Sequence, residues 1–436
     1  MLQVSRPTTT KKVALLSLVA LLLWNLRSLY LTASYWETSH VDISELSEIS
    51  DLFDFEPADS EAIRKVCRDT DWNRDLVFTC ERSGGGIANL RNSILNCVRY
   101  TIQAGAGLVI PRIVLRSPVD IAGTWNRETA ELDHVFDRTH FLQSLEKSCP
   151  QLQIFTNIEE IPDYDPAYRA GKLLPEGLVE IVPPEGLVHP EEWRVLFYNW
   201  LEGSPDFGHK PNVVDLEPSY FQYPVHTDGE PFVLDFGRML KFNSGARVLA
   251  TTTIKNLLQA YDFNVDLSEV IFKKAYFGAH LRTERDSQHG WPPARYEYSK
   301  YTTQSNLYLD QAISSGISII YAASGDASQI ARFSEDAKAQ NLTVTTKEDL
   351  LLGEDRERLE GMTSDQAALV DWLVLQKSSS FGGIGHSSFA LNIGLWRHQF
   401  AERRDHWHGP QFMSDELSQI YGAVNQYPEY SFCLWP

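Results

Sequence analysis

Two residues suited to anion binding stand two positions apart at the end of a strand-like stretch. Residues 275–282 read as a strand that ends in polar residues, and His280 and Arg282 lie on the same face of it. A guanidinium group holds two phosphate oxygens at once, so Arg282 is a candidate for stabilising a departing nucleotide diphosphate. The competing interpretation is a salt bridge from Arg282 to Glu284 or Asp286. For His280 the alternative is a hydrogen-bonded core residue.

A run of three glycines follows the predicted buried strand 76–80 and opens the predicted helix 87–106. Gly85 and Gly86 allow close approach of the backbone, and the helix start offers free N–H groups to a phosphate or sugar oxygen. Asn89 lies in the first turn of this helix. The alternative is a tight turn that binds nothing. Because the run has neither a GxGxxG pattern nor a Lys-Ser/Thr ending, it predicts neither dinucleotide nor P-loop chemistry.

Two further polar turns precede predicted helices. Ser387, Ser388 and Phe389 open a helix-like stretch, where hydroxyls and free backbone amides suit a phosphate group. Ser387 could equally be an ordinary helix cap. Asp326 follows the predicted strand 317–324 and could accept hydrogen bonds from a ribose or a purine. Its alternative is also a helix cap.

The sequence holds no cluster with the spacing of metal ligands. Asp163 and Asp165 form a lone Asp-x-Asp in a proline-flanked loop, which leaves a metal-dependent transferase as the minor alternative. His406 and His408 lack further ligands at zinc-site spacing. No Ser-His-Asp or Cys-His hydrolase signature occurs. We therefore expect neither a metal nor another cofactor.

Length and charge limit the class of protein. The 436 residues suit two domains of ordinary size. They carry 39 basic and 58 acidic side chains, and the net charge of −19 argues against nucleic-acid binding. A few arginines can still hold a small anion. Five cysteines predict up to two disulfides and one thiol in a lumenal chain, and the sequence does not fix the pairing.

The N-terminus carries the signals of a membrane anchor. Three basic residues and no acid precede an apolar run: Arg6, Lys11 and Lys12. We predict a cytosolic tail over residues 1–12 and a signal anchor over 13–35, because basic residues stay on the cytosolic side. This makes the chain a single-pass type II protein of the Golgi or endoplasmic reticulum membrane. The alternative is a cleaved signal peptide with its site near Ala33.

Two features beyond the anchor fit a lumenal chain. Residues 36–75 are predicted to be an acidic stem, because 37–61 hold nine acids and no Lys or Arg. We expect this stem to be a solvated spacer with one short helix at most. The only N-glycosylation sequon, Asn341-Leu342-Thr343, also fits the secretory route.

Strands and helices alternate in two parts of the chain, 76–115 and 275–376, and residues 108–115 are predicted to be the second strand of the first part. Such alternation predicts mostly parallel sheets covered by helices on both faces. We predict an α/β fold with two Rossmann-like domains, over residues 76–245 and 246–436, that face a cleft. Ligands are expected beyond the carboxyl ends of the strands. The stretch 155–235, rich in proline and aromatic residues, is assigned to the acceptor side of that cleft.

The order of these motifs over about residues 76–400 resembles the protein O-fucosyltransferase superfamily. A glycine-asparagine loop, a linker, a His-x-Arg strand, a nucleoside step and a phosphate turn follow one another as in that family. The matching stretches are Gly85-Gly-Ile-Ala-Asn-Leu-Arg91-Asn-Ser, Phe236-Gly-Arg-Met-Leu-Lys-Phe242, Ala279-His-Leu-Arg282, Ser324-Gly-Asp-Ala, Thr346-Lys-Glu-Asp-Leu350 and Gly385-His-Ser-Ser-Phe389. The likeness is one of motifs and is not close throughout.

This resemblance implies a GT-B-like fold, GDP-fucose in the cleft, and inversion at the sugar without a metal. It implies that Asn89 lies near the donor phosphates and fucose, and that Arg282 neutralises the leaving β-phosphate beside His280. Asp326 falls at the nucleoside step. The implied donor-binding set is Gly85, Gly86, Asn89, His280, Arg282, Asp326, Ser387, Ser388 and Phe389.

The catalytic base stays open. Some members of that family carry a Glu in the first loop, where this chain has Gly86. Glu284 is the tentative base, and Asp286 and Glu81 are further candidates. A further possibility is that no side chain fills this role and Arg282 supplies most of the electrostatic stabilisation.

The expected function is transfer of fucose from GDP-fucose to a hydroxyl, of Ser or Thr, on a secretory-pathway acceptor. Two alternatives stay open. The same fold could use another nucleotide sugar or a glycan acceptor. The chain could also bind a nucleotide sugar or glycan without catalysis, as the missing loop Glu suggests.

Overall fold

The computed structural model describes residues 51–116, 128–168, 171–187, 190–205, 207–284, 287, 296–423 and 428–436. All of them belong to one compact unit that runs from Ile49 to Pro436. The predicted cytosolic tail 1–12, the signal anchor 13–35 and the first part of the stem lie outside the described residues. In the described ranges, no helix has the length and apolar character needed to span a membrane.

The first half of the described chain builds one parallel sheet. Its strands, with a short hairpin made by β3 and β4, are β1 (Leu76–Thr79), β2 (Gly107–Val109), β3 (Ile113–Val114), β4 (Thr129–Ala130), β5 (Ile154–Phe155), β6 (Gly171–Leu173) and β7 (Asn212–Leu216). The order across the sheet is β5-β2-β1-β7-β6, and each neighbouring pair is parallel. All four residues of β1 are buried, because strands lie on both sides of it and its run of apolar side chains suits two covered faces.

Helices lie before, between and after these strands. They are α1 (Glu61–Asp69), α2 (Ile87–Ala104), α3 (Arg138–Ser148), α4 (Pro190–Glu202) and α5 (Glu230–Gly237). Helix α2 ends two residues before the predicted position. Gly105 terminates it in a left-handed conformation at φ 71°, and a Cβ there would come within 2.1 Å of the Asp71 carbonyl oxygen. Glycine is therefore needed at this position for both its backbone angle and its lack of a side chain.

The second half builds a second parallel sheet. Its elements are α6 (Ser244–Ala260), β8 (Phe277–His280), α7 (Tyr301–Ser314), β9 (Ile319–Ala323), α8 (Ala327–Lys338), β10 (Thr343–Thr345), α9 (Lys347–Leu350), α10 (Glu354–Glu360), α11 (Ser364–Lys377), β11 (Ser380–Ile384), α12 (Ser388–His398), β12 (Ser418–Tyr421) and α13 (Pro428–Cys433). The order is β10-β9-β8-β11-β12, again parallel throughout. The predicted α/β class with parallel sheets is confirmed. The proposed domain boundary at 245/246 falls in the first turn of α6, which packs against α11.

The strand predicted over 108–115 is wrong as one element. Strand β2 ends at Val109 and pairs with β1 and β5, whereas β3 begins at Ile113 and pairs antiparallel with β4. Pro111 lies between them and has no N–H to donate to a sheet, so the chain leaves the sheet there.

The second part of the predicted acidic stem is folded, so the spacer interpretation is wrong for residues 51–69. Asp51 accepts a bond from Arg247 Nε at 2.8 Å, and Asp54 accepts one from Lys241 Nζ at 2.8 Å. Each of these carboxylates pairs with a cation elsewhere on the folded unit. The number of acidic residues in the segment does not reveal such pairs. The stem prediction therefore applies at most to the residues before 51.

The cysteines pair as their number predicted. Cys67 is bonded to Cys149, and Cys80 to Cys97, while Cys433 is a buried free thiol. The first disulfide fixes α1 to the end of α3 and closes a loop with a sequence separation of 82. In the chain-entropy account, such loops stabilise a fold by about 3 to 5 kcal/mol.

Candidate functional site

Three of the predicted motifs meet at one edge of the second sheet. Strand β8 ends at His280 and lies between β9 and β11. Because these three strands are parallel, their carboxyl ends share an edge. The stretch 280–284 therefore lies beside the turn 324–326 on one side and the turn 385–389 on the other. Sequence reasoning named residues in all three segments, and the strand order brings them together.

His280 is an uncharged aromatic partner at this edge. Its ring stacks on Phe389, with centroids 4.5 Å apart and an angle of 30° between the planes. Burial lowers the pKa of His280 to about 4, so the ring is neutral near pH 7. Its Nδ1 is buried and has no hydrogen-bond partner within the described part of the chain. A ligand hydrogen bond is one way to satisfy such an atom.

Arg282 forms the ion pair that the competing interpretation anticipated. Its Nη1 donates to Glu284 Oε2 at 2.6 Å. The pair is not in the core, because the Arg282 side chain is 23% exposed at the sheet edge. The guanidinium is therefore oriented by a carboxylate and still reachable from solvent.

Glu284 links two of the three segments. Its Oε2 accepts from Arg282, and its Oε1 accepts from the backbone N–H of Gly325 at 2.7 Å and lies 3.4 Å from Ser324 Oγ. A Cβ on Gly325 would come within 3.0 Å of Oε1, so this contact favours glycine in the turn. Both carboxylate oxygens are engaged by the protein, which does not favour the predicted role of Glu284 as base. The other nearby candidate, Asp286, lies outside the described residues.

Gln304 on α7 holds the backbone of Arg282, and sequence analysis did not identify it. Its Oε1 accepts from the Arg282 N–H at 2.8 Å, and its Nε2 donates to the Arg282 carbonyl at 2.8 Å. Nε2 also donates to the carbonyl of Tyr298. Gln304 is fully buried. A glutamine on the apolar face of a helix was the available signal, but such residues are common in proteins.

Asp326 caps α8, as the alternative interpretation of this residue predicted. Its Oδ1 accepts from the N–H groups of Ser328 at 2.9 Å and Gln329 at 3.2 Å. The Ser324 hydroxyl accepts from the Asp326 N–H at 3.1 Å and stiffens the same turn. The cap fixes the position of the turn at the site edge.

Ser387, Ser388 and Phe389 open α12 at the third segment. Ser387 caps the helix by accepting from the Ala390 N–H at 3.4 Å, which is the alternative interpretation as an ordinary helix cap. Ser388 and Phe389 are partly exposed in the first turn of the helix. Phe389 lies between His280 and Trp372, with a centroid separation of 4.9 Å to Trp372. The start of this 11-residue helix presents backbone N–H groups and a positive dipole end, which suit an anion.

The glycine loop lies at the carboxyl end of β1 in the first sheet. Gly85 has a φ of 97°, which an L side chain rarely adopts, and Gly86 caps α2 without any side-chain hydrogen bond. Asn89 follows in the first turn, and its Oδ1 is buried without a partner in the described ranges. Both predicted glycines and Asn89 therefore form one polar loop.

A cation that sequence analysis missed joins this loop to the second half of the chain. A Cβ on Gly86 would lie 3.9 Å from Arg116 Nη1. Arg116 Nε donates to Asp365 Oδ1 at 2.9 Å, and Asp365 stands in the first turn of α11. These partners are 249 positions apart, so no local pattern indicates the pair.

The rest of the glycine-asparagine motif is structural. Arg91 donates to the carbonyls of Gly237 and Trp435, each at 2.7 Å, and Asn92 Oδ1 accepts from the Trp435 N–H at 3.1 Å. Arg91 is buried among these carbonyls. Arg91 and Asn92 therefore hold Trp435 against α2.

Glu81, the more distant base candidate, follows β1 at the same edge as the glycine loop. It lies beside Asp215 of β7, which accepts a hydrogen bond from the Glu81 backbone N–H and one from Thr79 Oγ1 at 3.3 Å. Burial, with a smaller effect of Glu81, raises the pKa of Asp215. Arg82 lies 3.7 Å from the same carboxylate.

Metal ligands do not converge in the described residues. No group of three or more His, Cys, Asp or Glu side chains there has the geometry of a metal site. Asp163 is an exposed turn residue at φ 58°. Metal independence stays a prediction.

The chain matches neither a protein-family model nor a curated protein. Solved structures of fucosyltransferases do match at low identity. POFUT1 in complex with GDP-fucose is 14% identical with a TM-score of 0.47, over 81% of this chain and 100% of that one. NodZ α-1,6-fucosyltransferase soaked with GDP-fucose is 11% identical with a TM-score of 0.37, over 72% and 89%. A FUT1 variant from Arabidopsis thaliana in complex with GDP is 10% identical with a TM-score of 0.37, over 77% and 71%. At these values the matches alone assign neither family nor function.

Proposed function

We propose that this chain is a glycosyltransferase of the O-fucosyltransferase type that uses GDP-fucose as donor. The observation that carries this proposal is the edge of the second sheet, where an oriented Arg282, a neutral His280 stacked on Phe389, and the start of α12 lie side by side. A nucleoside diphosphate needs a cation, backbone amides and an aromatic or polar wall, and this edge offers each of them. The order of the motifs along the chain supports the same donor.

In the proposed reaction, the acceptor hydroxyl attacks the anomeric carbon of fucose from the face opposite GDP. The new carbon–oxygen bond forms as the bond to the β-phosphate oxygen breaks, so the configuration inverts and GDP leaves with the electron pair. Arg282 and the α12 amides stabilise the charge that develops on the phosphate. Asn89 binds the donor from the loop of the first sheet. We propose that no metal takes part.

The hydroxyl proton must go to a base, directly or through one water. Glu284 already accepts two hydrogen bonds from the protein, so we assign it to positioning Arg282. Glu81 beside Asp215 is the better-placed candidate on the first sheet, because that sheet carries the acceptor side in the proposed arrangement. Transfer without any side-chain base is the alternative.

We propose that the acceptor is a Ser or Thr hydroxyl of a secretory-pathway protein. We also propose that residues 13–35 anchor the chain as a type II protein of the Golgi or endoplasmic reticulum. Two buried disulfides support a lumenal address, because such bonds persist mainly in oxidising compartments. The two-domain GT-B arrangement over 76–245 and 246–436 belongs to the same proposal.

A second candidate function is binding of a nucleotide sugar without transfer. The ion pair between Arg282 and Glu284 and the glycine at position 86 favour it, since both are compatible with a site that only binds. Release of fucose from GDP-fucose, with or without an acceptor, separates the two functions. A chain that binds the donor and never cleaves it is the binding protein.

The first test is calorimetry on the detergent-solubilised full chain with GDP-fucose, GDP-mannose and UDP-sugars, in EDTA. We expect GDP-fucose to bind, and Arg282→Ala to weaken binding roughly 10- to 100-fold, because charge-assisted hydrogen bonds to the phosphates are lost. The matched control is Arg358→Ala, which removes an exposed arginine paired with Asp355 on α10. A folded chain that binds no guanine nucleotide would rule out the proposed donor.

A further inference from the structure

The turn between α8 and β10 presents an exposed asparagine. Asn341 has a φ of 59°, in the left-handed region that Asn adopts more readily than other side chains. Its backbone N–H donates to the Lys338 carbonyl at 3.1 Å and closes the turn. The residue is exposed, and no hydrogen bond holds its side-chain amide in the part of the chain that the structure describes.

Thr343 completes a sequon whose two polar residues are both accessible. It is exposed at the first position of β10, while Leu342 between the two polar residues is buried. The backbone N–H of Thr343 donates to the Ser318 carbonyl at 2.9 Å, which fixes the strand start. Asn341 and Thr343 therefore face solvent together, on a chain segment anchored by Leu342.

The position of this turn is compatible with a large attached group. Thr343 opens β10, so Asn341 lies at the amino edge of the second sheet, whereas His280 and Gly325 lie at its carboxyl edge. A group on Asn341 would leave the candidate site open. Strand β10 is also the last strand in the sheet order of the described residues. Edge strands of this kind can pair with other chains unless something covers them.

We infer that Asn341 carries an N-linked glycan, which covers the edge strand β10. The Asn341 amide nitrogen forms a bond to the first sugar of a lipid-diphosphate-linked oligosaccharide, loses a proton, and releases the lipid diphosphate. This inference rests on the proposed lumenal address and not on the proposed donor. It assigns to the sequon a covalent modification that the transferase chemistry does not need.

The test uses the full chain expressed in a eukaryotic cell with its own N-terminus. We expect peptide N-glycosidase to increase its mobility and convert Asn341 to aspartate in the mass spectrum. Asn341→Gln and Thr343→Ala should abolish the mobility change, and Thr343→Ser should keep it. The matched control is Asn264→Gln, an exposed asparagine outside any sequon, which should also keep it.

Two results would overturn the inference, and a thiol count separates them. An unmodified Asn341 in a chain whose two disulfides have formed means that the lumenal chain is not glycosylated. An unmodified Asn341 in a chain with five reduced cysteines means that the lumenal address itself is wrong. Neither result concerns GDP-fucose binding, which calorimetry measures separately on the same preparation.

Covering of the edge strand has its own measurement. Light scattering of the native chain and of the enzymatically deglycosylated chain compares their self-association at equal concentration. We expect self-association to rise after deglycosylation. Equal behaviour of the two samples would remove the covering role while leaving the modification in place.

Discussion

At the scale of single residues, Glu284 decides how the candidate site works. Its two oxygens reach different segments, Arg282 on one side and the backbone of Gly325 on the other. In the proposed donor complex, a residue in this position would couple the cation assigned to the phosphates to the turn assigned to the nucleoside. If Glu284 positions Arg282, replacing it should lower donor affinity. If Glu284 is the base, replacing it should abolish transfer and leave the affinity unchanged.

Glu284→Gln separates the two roles. The amide keeps an oxygen for the Gly325 N–H but offers no negative charge to Arg282, so we expect GDP-fucose affinity to fall about tenfold or more. Calorimetry and donor cleavage measure this together. Glu297→Gln, an exposed glutamate bonded to Lys300, serves as control. Unchanged affinity with abolished transfer would instead make Glu284 the base.

At the scale of elements, α7 sets the position of the strand end that carries Arg282. Gln304 binds both backbone polar groups of Arg282. Seven residues further along the same helix, Gln311 donates to the carbonyl of Phe381 on β11 at 3.0 Å. The same helix thus holds two neighbouring strands with the same side-chain chemistry. Only the first contact adjoins the candidate site.

Gln304→Leu tests this clamp, with Gln311→Leu on the same helix as its control. Each change removes buried hydrogen bonds and should lower the free energy of unfolding by roughly 1 to 3 kcal/mol. We expect only Gln304→Leu to weaken GDP-fucose binding when both variants are measured well below their unfolding temperatures. Equal effects of the two variants on affinity would show that α7 acts through stability alone.

The sequence predicted the elements around the site better than the contacts between them. Apolar runs and glycine turns located β1, β8 and β9 within a few residues, because those signals are local. The strand predicted over 108–115 is interrupted at Pro111. The prediction missed this because the apolar residues on each side of Pro111 resemble one continuous strand. Gln304 escaped prediction because its partner is the backbone of Arg282, and backbone contacts leave no mark on composition. Asp51 and Asp54 read as solvated acids because their cationic partners are almost 200 positions away.

At the scale of the whole molecule, the ion pair between Arg116 and Asp365 joins the loop of the first sheet to a helix of the second half. Both side chains are mostly buried, at 18% and 16% exposed. The arginine lies beside the loop, because a Cβ on Gly86 would be in ordinary van der Waals contact with its Nη1 at 3.9 Å. A donor bound by both halves would depend on this connection, because the connection fixes the loop relative to α11.

A double-mutant cycle of Arg116→Ala and Asp365→Ala measures the connection. We expect a coupling of about 1 to 2 kcal/mol in the free energy of unfolding, and a non-zero coupling in GDP-fucose affinity. The control cycle uses Arg99 and Asp228, an ion pair at 2.8 Å within the first half. That pair should show coupling in stability and none in affinity. Additive effects of the Arg116 and Asp365 changes on affinity would contradict a joint donor site.

The disulfide connectivity has a consequence for how the chain is made. During synthesis Cys67, Cys80 and Cys97 emerge before Cys149, the native partner of Cys67. The pair Cys80–Cys97 lies within one strand-and-helix segment and can close as soon as that segment has emerged. Until then Cys67 meets two wrong partners before its right one. Early closure of the nearer pair removes both competitors, so local folding of that segment protects the native pairing against the order of translation.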